Sequence, residues 1–319
     1  MSIYEGPKRG KNNIKFKEAI MKHNKFIALL LAALMLCALC ACGNGSTLTA
    51  VHPDIAQPGA DAQAELSLPA DLSIESAGKT ATIYELANDQ KSAVKQIEAC
   101  FDFDLSAAEK TSDSLSDYYI IDGYRADIEK GIGYWSVIKL NPDPVKSGAS
   151  MTDEKALEIA NALFDKGGLW AEKIDNVKVV DQYDLNEDGV YGVSEKSVFY
   201  YPQVDGKSVS GRYRININVS LDGSINSVYY LASPTSSSAS VSVKSSSELS
   251  SDLQSKNYSA SFSGDLTDAK ITDCKLGYYA DGVEHNGKTY LFPVYIMTGE
   301  GTNAAGEKET FDIIIDAQK

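Results

Sequence analysis

The chain has 319 residues, with 30 Lys and Arg against 44 Asp and Glu, which gives a formal net charge of −14 at pH 7. So acidic a chain is poorly suited to nucleic acid or an anionic membrane surface, because both attract basic proteins. With only three histidines and neither an H-E-x-x-H nor a G-x-S-x-G pattern, it also lacks the usual zinc-protease and serine-hydrolase signatures.

The N-terminal region, residues 1–41, has the pattern of a secretory signal with an upstream extension. A basic segment, Met21–Phe26, precedes an apolar run that is shorter than the roughly 20 residues needed to span a bilayer. Leu-Cys-Ala-Cys before Gly43 resembles a bacterial lipobox, which implies lipidation of Cys42 and attachment to the extracytoplasmic face of the cell membrane. From residue 42 onward the chain holds 23 basic and 42 acidic residues, a net charge of −19.

Composition divides the rest of the chain into a tether and three modules. Residues 42–79 are rich in Gly, Ala, Ser, Pro and Asp, which predicts a flexible tether. Modules over 80–148, 149–234 and 235–319 each show a helical pattern followed by strand-like runs. The sequence therefore predicts an α+β protein of repeated helix-plus-antiparallel-β-meander modules.

The first module contains a helical pattern over Asp89–Phe101. Three strand-like runs follow, "DYYIIDG", "YRADIEK" and "GYWSVIKL". The Pro- and Gly-containing stretch Asn141–Gly148 separates this module from the next.

The second module opens with the clearest helix, over 151–168. Thr152 is a suitable N-cap, and Ala156, Ile159, Ala160 and Leu163 recur at the spacing of one buried face. The strand-like runs "VKVVDQY", "KSVFYYPQ", "RYRININVSL" and "INSVYYLA" follow. Polar and apolar residues alternate in the third run, as expected of an antiparallel sheet with one face in water.

The stretch Asp184–Glu195, "DLNEDGVYGVSE", fits the EF-hand calcium loop at every constrained position. An EF-hand needs helices on both sides, whereas strand-like runs flank this stretch, so we read it as a hairpin connection. A strand after the turn would carry Glu195 roughly 15–20 Å from the other ligands. Two alternatives remain: a plain turn, or a weak calcium site at Asp184, Asn186 and Asp188.

The third module begins with a Ser-rich stretch, Ser233–Ser247, and a weak helix around Leu249 and Leu253. Its strand-like runs are "AKITDCKLGYYAD", "KTYLFPVYIMTG" and "TFDIIIDA". The stretch Gly282–Thr289 fits the P-loop pattern, but a working P-loop opens a helix. Because "YLFPVYI" follows instead, we expect no nucleotide site, and Asn286-Gly287 predicts a hairpin turn.

Candidate catalytic sets are sparse. Ser92 and Lys95 have the S-x-x-K spacing without its companion motifs, so an exposed helix edge is the better interpretation. His52 falls in the predicted tether and His285 in a predicted turn. The sequence therefore predicts that this is not an enzyme and that it holds no cofactor, with calcium as the one alternative.

Two cysteines, Cys100 and Cys274, remain beyond the leader and the lipidation site. In an exported protein they could form a disulfide. Each is in phase with apolar neighbours, however, and this favours two separate buried thiols.

Tyrosine is abundant, with 18 in the chain, and it occurs in four adjacent pairs: Tyr118-Tyr119, Tyr200-Tyr201, Tyr229-Tyr230 and Tyr278-Tyr279. Adjacent residues of a strand face opposite sides, so one ring of each pair should pack and the other should lie at the surface. Exposed Tyr is favoured at interfaces. The sequence thus indicates a partner surface on the third module, formed by Tyr278, Tyr279, Tyr290, Phe292 and Tyr295.

These patterns resemble two related families. "FYYPQVDGKSVSGRYRININVSLDGSINSVYY" is similar to the strand–turn–strand core of PepSY-like domains. "KLGYYADGVEHNGKTYLFPVYIMTG" with "GEKETFDIIIDA" looks like the C-terminal half of YycI–YycH-type regulatory proteins. The resemblance covers about 150–319 well and 80–148 loosely, and it supplies no catalytic residues.

The resemblance implies a non-enzymatic, extracytoplasmic lipoprotein that modulates a sensor kinase or a peptidase through protein contacts. YycI-type proteins are held by a transmembrane helix, whereas this chain carries a lipobox-like sequence, and that departure leaves kinase control open. The alternative is an extracytoplasmic lipoprotein that binds a small ligand or calcium.

Overall fold

The computed structural model describes residues 51–58, 64–74, 78–86, 90–146, 148–169, 174–233, 235–262 and 264–319. The predicted leader and Cys42 lie outside the described residues. The helices within them are α1 (Gln90–Phe101), α2 (Asp153–Lys166) and α3 (Ser246–Gln254). The strands are β1 (Thr80–Leu86), β2 (Glu109–Ser112), β3 (Ser116–Ile121), β4 (Tyr124–Glu129), β5 (Trp135–Lys139), β6 (Ile174–Leu185), β7 (Tyr191–Val204), β8 (Lys207–Gly211), β9 (Ile215–Ser220), β10 (Ile225–Tyr230), β11 (Thr235–Ser242), β12 (Ser259–Ala260), β13 (Thr267–Ala280), β14 (Tyr290–Thr302) and β15 (Lys308–Asp316).

The predicted fold class is wrong. The described residues form a mostly β structure in which all fifteen strands join one mixed sheet. Separate helix-plus-meander modules are absent from these residues, because strands from different predicted modules pair directly: β5 of the first lies beside β10 of the second. Local periodicity predicts individual elements, but it does not say which strands become neighbours.

One half of the sheet is antiparallel throughout and has the order β6-β7-β9-β10-β5-β4-β3-β2. Helices α1 and α2 pack on one of its faces. Ile97 of α1, Phe164 of α2 and Val198 of β7 belong to the same buried cluster, so the first and second predicted modules share one core.

Helix α2 forms as its sequence predicts. Thr152 is the N-cap, and its Oγ1 accepts the backbone N–H of Lys155 at 3.3 Å. Ala156, Ala160 and Phe164 are buried at successive turns of the helix. This buried face fixes where the start of α2 meets strand β7.

The other half of the sheet contains β11-β1-β14-β13, with β15 beside β14 and β12 beside β15. Strand β1 was not expected, and it pairs with β11 and β14 far along the chain. The Ser-rich stretch expected to separate modules is itself largely strand β11 and the cap of α3. The two halves meet where β13 runs parallel to β8, with Tyr278 opposite Val209.

Parts of the predicted tether pack against the C-terminal half. Leu66 is buried in the same apolar cluster as Leu249 and Phe311. The carbonyl of Val51 accepts a hydrogen bond from the Gln318 side chain at 3.1 Å. A flexible tether is therefore the wrong description for these residues of segments 51–58 and 64–74.

The two cysteines are confirmed as separate buried thiols. Cys100 lies in the cluster under α1 and α2, and Cys274 lies in the cluster of the C-terminal half. Burial raises the pKa of each thiol to about 12, so neither is a reactive nucleophile at neutral pH.

Candidate protein-binding site: the β6–β7 arm

The long hairpin of β6 and β7, called here the β6–β7 arm, extends one end of the antiparallel sheet. Among the described residues β6 pairs only with β7, so its outer edge is free. Every described side chain of β6 is exposed or partly exposed. The arm thus offers both a free strand edge and accessible faces.

Apolar side chains are concentrated on this arm. Six of the ten large hydrophobic residues that are exposed in the described part of the chain belong to it: Val177, Val180, Tyr183, Leu185, Val190 and Tyr191. The four nearest the tip are 52–70 % exposed. Isolated exposed hydrophobic residues are ordinary, whereas a contiguous group indicates an interaction surface.

The tip of the arm is held in a defined shape by its own contacts. The rings of Tyr183 and Tyr191 stack across the two strands with their centroids 5.9 Å apart. Asn186 Oδ1 accepts the backbone N–H groups of Asp188 at 3.0 Å and Val190 at 2.8 Å. A preformed surface loses less conformational entropy on binding than a mobile one.

The residues of the calcium-like stretch are arranged as a turn. Besides the two amides on Asn186, Asp184 Oδ1 accepts the N–H of Leu185 at 2.7 Å. The Glu195 carboxylate on β7 accepts a hydrogen bond at 2.8 Å from the Asn226 side chain of β10, two strands away. The hairpin interpretation is therefore confirmed, and the described residues contain no cluster of three metal-ligating side chains.

Lys196 fixes the arm to helix α2. Its Nζ donates to Asp153 Oδ1 at 2.7 Å and also to Asp181 across the strand pair. These two carboxylates raise the pKa of Lys196. The ion pairs join the first residue of α2 to both strands and set the direction of the arm.

A cleft of about 330 Å3 lies at the base of the tip, between the arm and the connector that precedes α2. Met151, Val190, Tyr191, Val193 and Leu221 supply apolar walls, and Lys196 supplies a charged one. The connector is tied to the tip, because the N–H of Glu187 donates to the carbonyl of Val145 at 3.0 Å. The cleft has room for a single inserted apolar side chain beside the exposed tip.

The predicted partner surface on the third module is wrong. Its residues come together on β13 and β14, but Tyr278, Tyr290, Phe292 and Tyr295 are buried and only Tyr279 is partly exposed. Tyr278 packs edge-on against the ring of Tyr84 on β1, a strand the sequence analysis did not expect. The Tyr pairs do follow the expected rule, since each of the four has one buried and one partly exposed member.

The other singled-out motifs have structural roles. His285 and Lys288 close a two-residue hairpin in which Asn286 and Gly287 have φ of 56° and 80°, which confirms the turn at the P-loop-like stretch. His285 contacts Asp281 at 2.8 Å, and His52 contacts Asp316 at 2.5 Å. Both histidines hold surface segments in place.

Two solved structures have a distant likeness to the chain. No family model and no curated protein matches the chain. A crystal structure of an uncharacterized protein from Eubacterium rectale aligns with a TM-score of 0.44 and 13 % identity, over 78 % of this chain and 87 % of that one. The Bacillus megaterium YpeB C-terminal domain aligns with a TM-score of 0.35 and 12 % identity, over 74 % of this chain and 100 % of that one.

These values are too low to place the chain in a family. The YycI–YycH type and lipidation gain no support from either alignment. No helix among the described residues is long and apolar enough to cross a membrane.

The sequence predicts a turn or a weak calcium site within the arm, and it does not predict the arm as a protein-binding surface. The useful signal was the apolar residues around the turn: Leu185 directly before "NEDG", and Val190-Tyr191 directly after it. Turns are usually polar, so three large apolar residues at one turn indicate a surface that something else covers.

Proposed function

We propose that this chain is a non-enzymatic protein-binding and regulatory module, and that the β6–β7 arm holds its partner. The single observation that carries the proposal is the clustering of six exposed apolar residues on one hairpin. A surface of this kind is costly in water and becomes favourable once a partner covers it.

The proposal includes location and partner class. Lipidation at Cys42 would hold the protein on the extracytoplasmic face of the bacterial membrane, where the acidic chain meets other proteins and not nucleic acid or nucleotide. The family resemblance suggests a sensor kinase or a peptidase as the protein partner.

The binding mode follows from the local geometry. An apolar side chain of the partner would enter the cleft beside Tyr191, while neighbouring partner residues cover Leu185 and Tyr183. Aromatic anchors of this kind dominate the binding energy of many interfaces. The ion pair between Lys196 in the cleft wall and the exposed Asp153 would contribute mainly to specificity.

Site-specific photo-cross-linking in cells tests the proposal. A benzophenone amino acid is placed at position 191 and, as control, at position 115, because Tyr191 and Leu115 are both 70 % exposed. We expect one protein to be enriched at position 191 and absent at 115. Equal capture at both positions would contradict the proposal.

Substitution of arm residues provides a second, independent test of the proposal. Leu185→Ser with Tyr191→Ser should abolish co-purification of the captured protein, whereas Leu115→Ser should leave it unchanged. Substitutions at such exposed sites change stability by only about 0.5 kcal/mol, so a loss of binding would report on the contact and not on unfolding.

A further inference from the structure

The ends of the mixed sheet differ in how they are protected. Strand β2, at the far end from the arm, has only four residues, "EKTS", all exposed and polar. Strand β11, at the other end, is "TSSSASVS". Short or polar edges discourage pairing with another chain.

Strand β6 lacks most of these protective features. It has 12 residues, contains no proline, and carries apolar residues along both faces. Its pairing with β7 has two irregularities: the one near the tip places the extra residue in β7, and the one at the start of β6 places it in β6, between Ile174 and Asn176. From Asn176 to Leu185, β6 itself continues without a bulge. A long regular free edge of this type is a template for another strand.

We propose that the free edge of β6 pairs with β6 of a second copy of this chain, antiparallel, about a two-fold axis perpendicular to the sheet. Residues directly opposite one another in such a pair must lie on the same face, because side chains alternate along a strand. Only registers centred on a residue satisfy this requirement, and few of them match the chemistry of β6.

The register centred on Asp181 matches best. On the face that carries the helices it sets Val177 opposite Leu185 of the second copy, and Val179 opposite Tyr183. On the open face it sets Lys178 opposite Asp184 twice, once on each side of the axis. The register centred on Val180 sets Asp181 opposite Val179, and the register centred on Gln182 sets it opposite Tyr183. In both registers the residue directly opposite Lys178 is uncharged.

The residues involved are accessible and charge-compatible. Lys178 and Asp184 are exposed, and oppositely charged residues directly across a strand pair attract one another. The two copies of Asp181 would meet at the axis, but each is already paired with Lys196 of its own chain.

Edge pairing leaves the faces of the arm free. The apolar side chains of Tyr183 and Leu185 in one copy would lie beside those of Val179 and Val177 in the other, so that the two arms form one larger apolar surface. This use of the dimer rests on the proposed partner-binding function, whereas the pairing itself does not.

Charge reversal, followed by restoration of the charge pair, tests the pairing. The full chain is purified in mild detergent, and its dimer affinity is measured by sedimentation over a concentration series. Lys178→Glu and Asp184→Lys should each weaken the dimer about tenfold, since each change creates two like-charge contacts. The double variant Lys178→Glu/Asp184→Lys should restore the original affinity. Lys308→Glu, at an exposed site on β15, makes the same charge change as Lys178→Glu and should have no effect.

Disulfide trapping tests the register. Opposite residues lie about 4.5–5.5 Å apart between Cα atoms, which suits a disulfide. A mixture of Lys178→Cys and Asp184→Cys chains should cross-link above the background of the unsubstituted chain. Either variant alone should not, because like positions would be roughly 20 Å apart.

The outcomes separate the two proposals. A chain that stays monomeric at all concentrations and does not cross-link overturns the β6 pairing, even if position 191 still captures its partner. Dimerisation that is rescued by the double charge reversal supports the pairing, whatever the capture experiment shows.

Discussion

Gly167 lies where helix α2 ends against helix α1, and a side chain there has no room. A Cβ atom at this position would overlap the Sγ of Cys100. The residue has an ordinary helical φ of −76°, so its backbone conformation does not require glycine. Glycine is required here because the two helices pack closely. This effect can be tested separately from any effect on backbone conformation.

We predict that Gly167→Ala lowers the free energy of unfolding by about 1–3 kcal/mol, because the added methyl overpacks the contact. Adding Cys100→Ala removes the Sγ atom, so the double variant should be more stable than the sum of the single effects. Urea unfolding of the four proteins measures the coupling. Gly192→Ala, which has open space around it, is the control, and additive effects would contradict the packing account.

The calcium-like residues lead to a second prediction at this scale. Because Asn186 already accepts two backbone amides and Glu195 is held by Asn226, we expect calcium to leave the melting temperature unchanged. A ligand that binds only the folded state raises that temperature. A thermal melt with millimolar calcium, compared with chelator, gives the answer, and a rise abolished by Asp184→Asn/Asp188→Asn would establish a site.

At the scale of elements, helix α3 depends on its N-terminal cap. The Ser245 side chain accepts the N–H of Glu248, and the Glu248 carboxylate accepts the N–H of Ser245 at 2.7 Å. These hydrogen bonds and Lys319 hold the pKa of Glu248 at about 2. The cap holds α3 in place so that Leu249 and Leu253 pack into the C-terminal core.

Because the pKa of Glu248 is depressed in the folded state, its contribution to stability is complete above its ordinary value of 4.5 and is lost as pH falls toward about 2. Glu248→Gln keeps the hydrogen-bonding shape and removes the titration. We expect wild type to be the more stable at pH 7, with the difference shrinking as the pH is lowered toward 3. Urea midpoints across this range test it, and a constant difference would exclude the linkage.

At the scale of the whole molecule, the N-terminal segment belongs to the C-terminal half. Strand β1 lies between β11 and β14, and Leu66 packs in the cluster around Phe311. The first described residues of the chain are thus joined to the last ones.

We predict that Leu66→Ala lowers the free energy of unfolding by about 2 kcal/mol or more, as expected for a buried leucine. Leu115→Ala makes the same change at a leucine that is 70 % exposed, and it should have an effect within about 0.5 kcal/mol. Denaturant unfolding of both variants provides the comparison. Equal effects would mean that residues 64–74 do not belong to the folded unit.

Local chemistry in the sequence was enough for many elements. The cap at Thr152 and the spacing of Ala156 and Ala160 predicted α2, and Asn286-Gly287 predicted its hairpin turn. Flanking strand patterns were enough to identify Asp184–Glu195 as a turn and not an EF-hand. These signals are reliable because the groups that satisfy one another lie within a few residues along the chain.

The tertiary structure alone decided the architecture and the candidate site. Periodicity shows that a strand has an apolar face, but not which distant strand lies beside it or what covers its other face. Tyr278 is buried because β1 arrives from the N-terminal region, while Tyr191 is exposed because nothing described in the chain covers the arm. Burial is set by contacts between residues far apart in sequence, and for that reason the sequence pointed to the wrong aromatic surface.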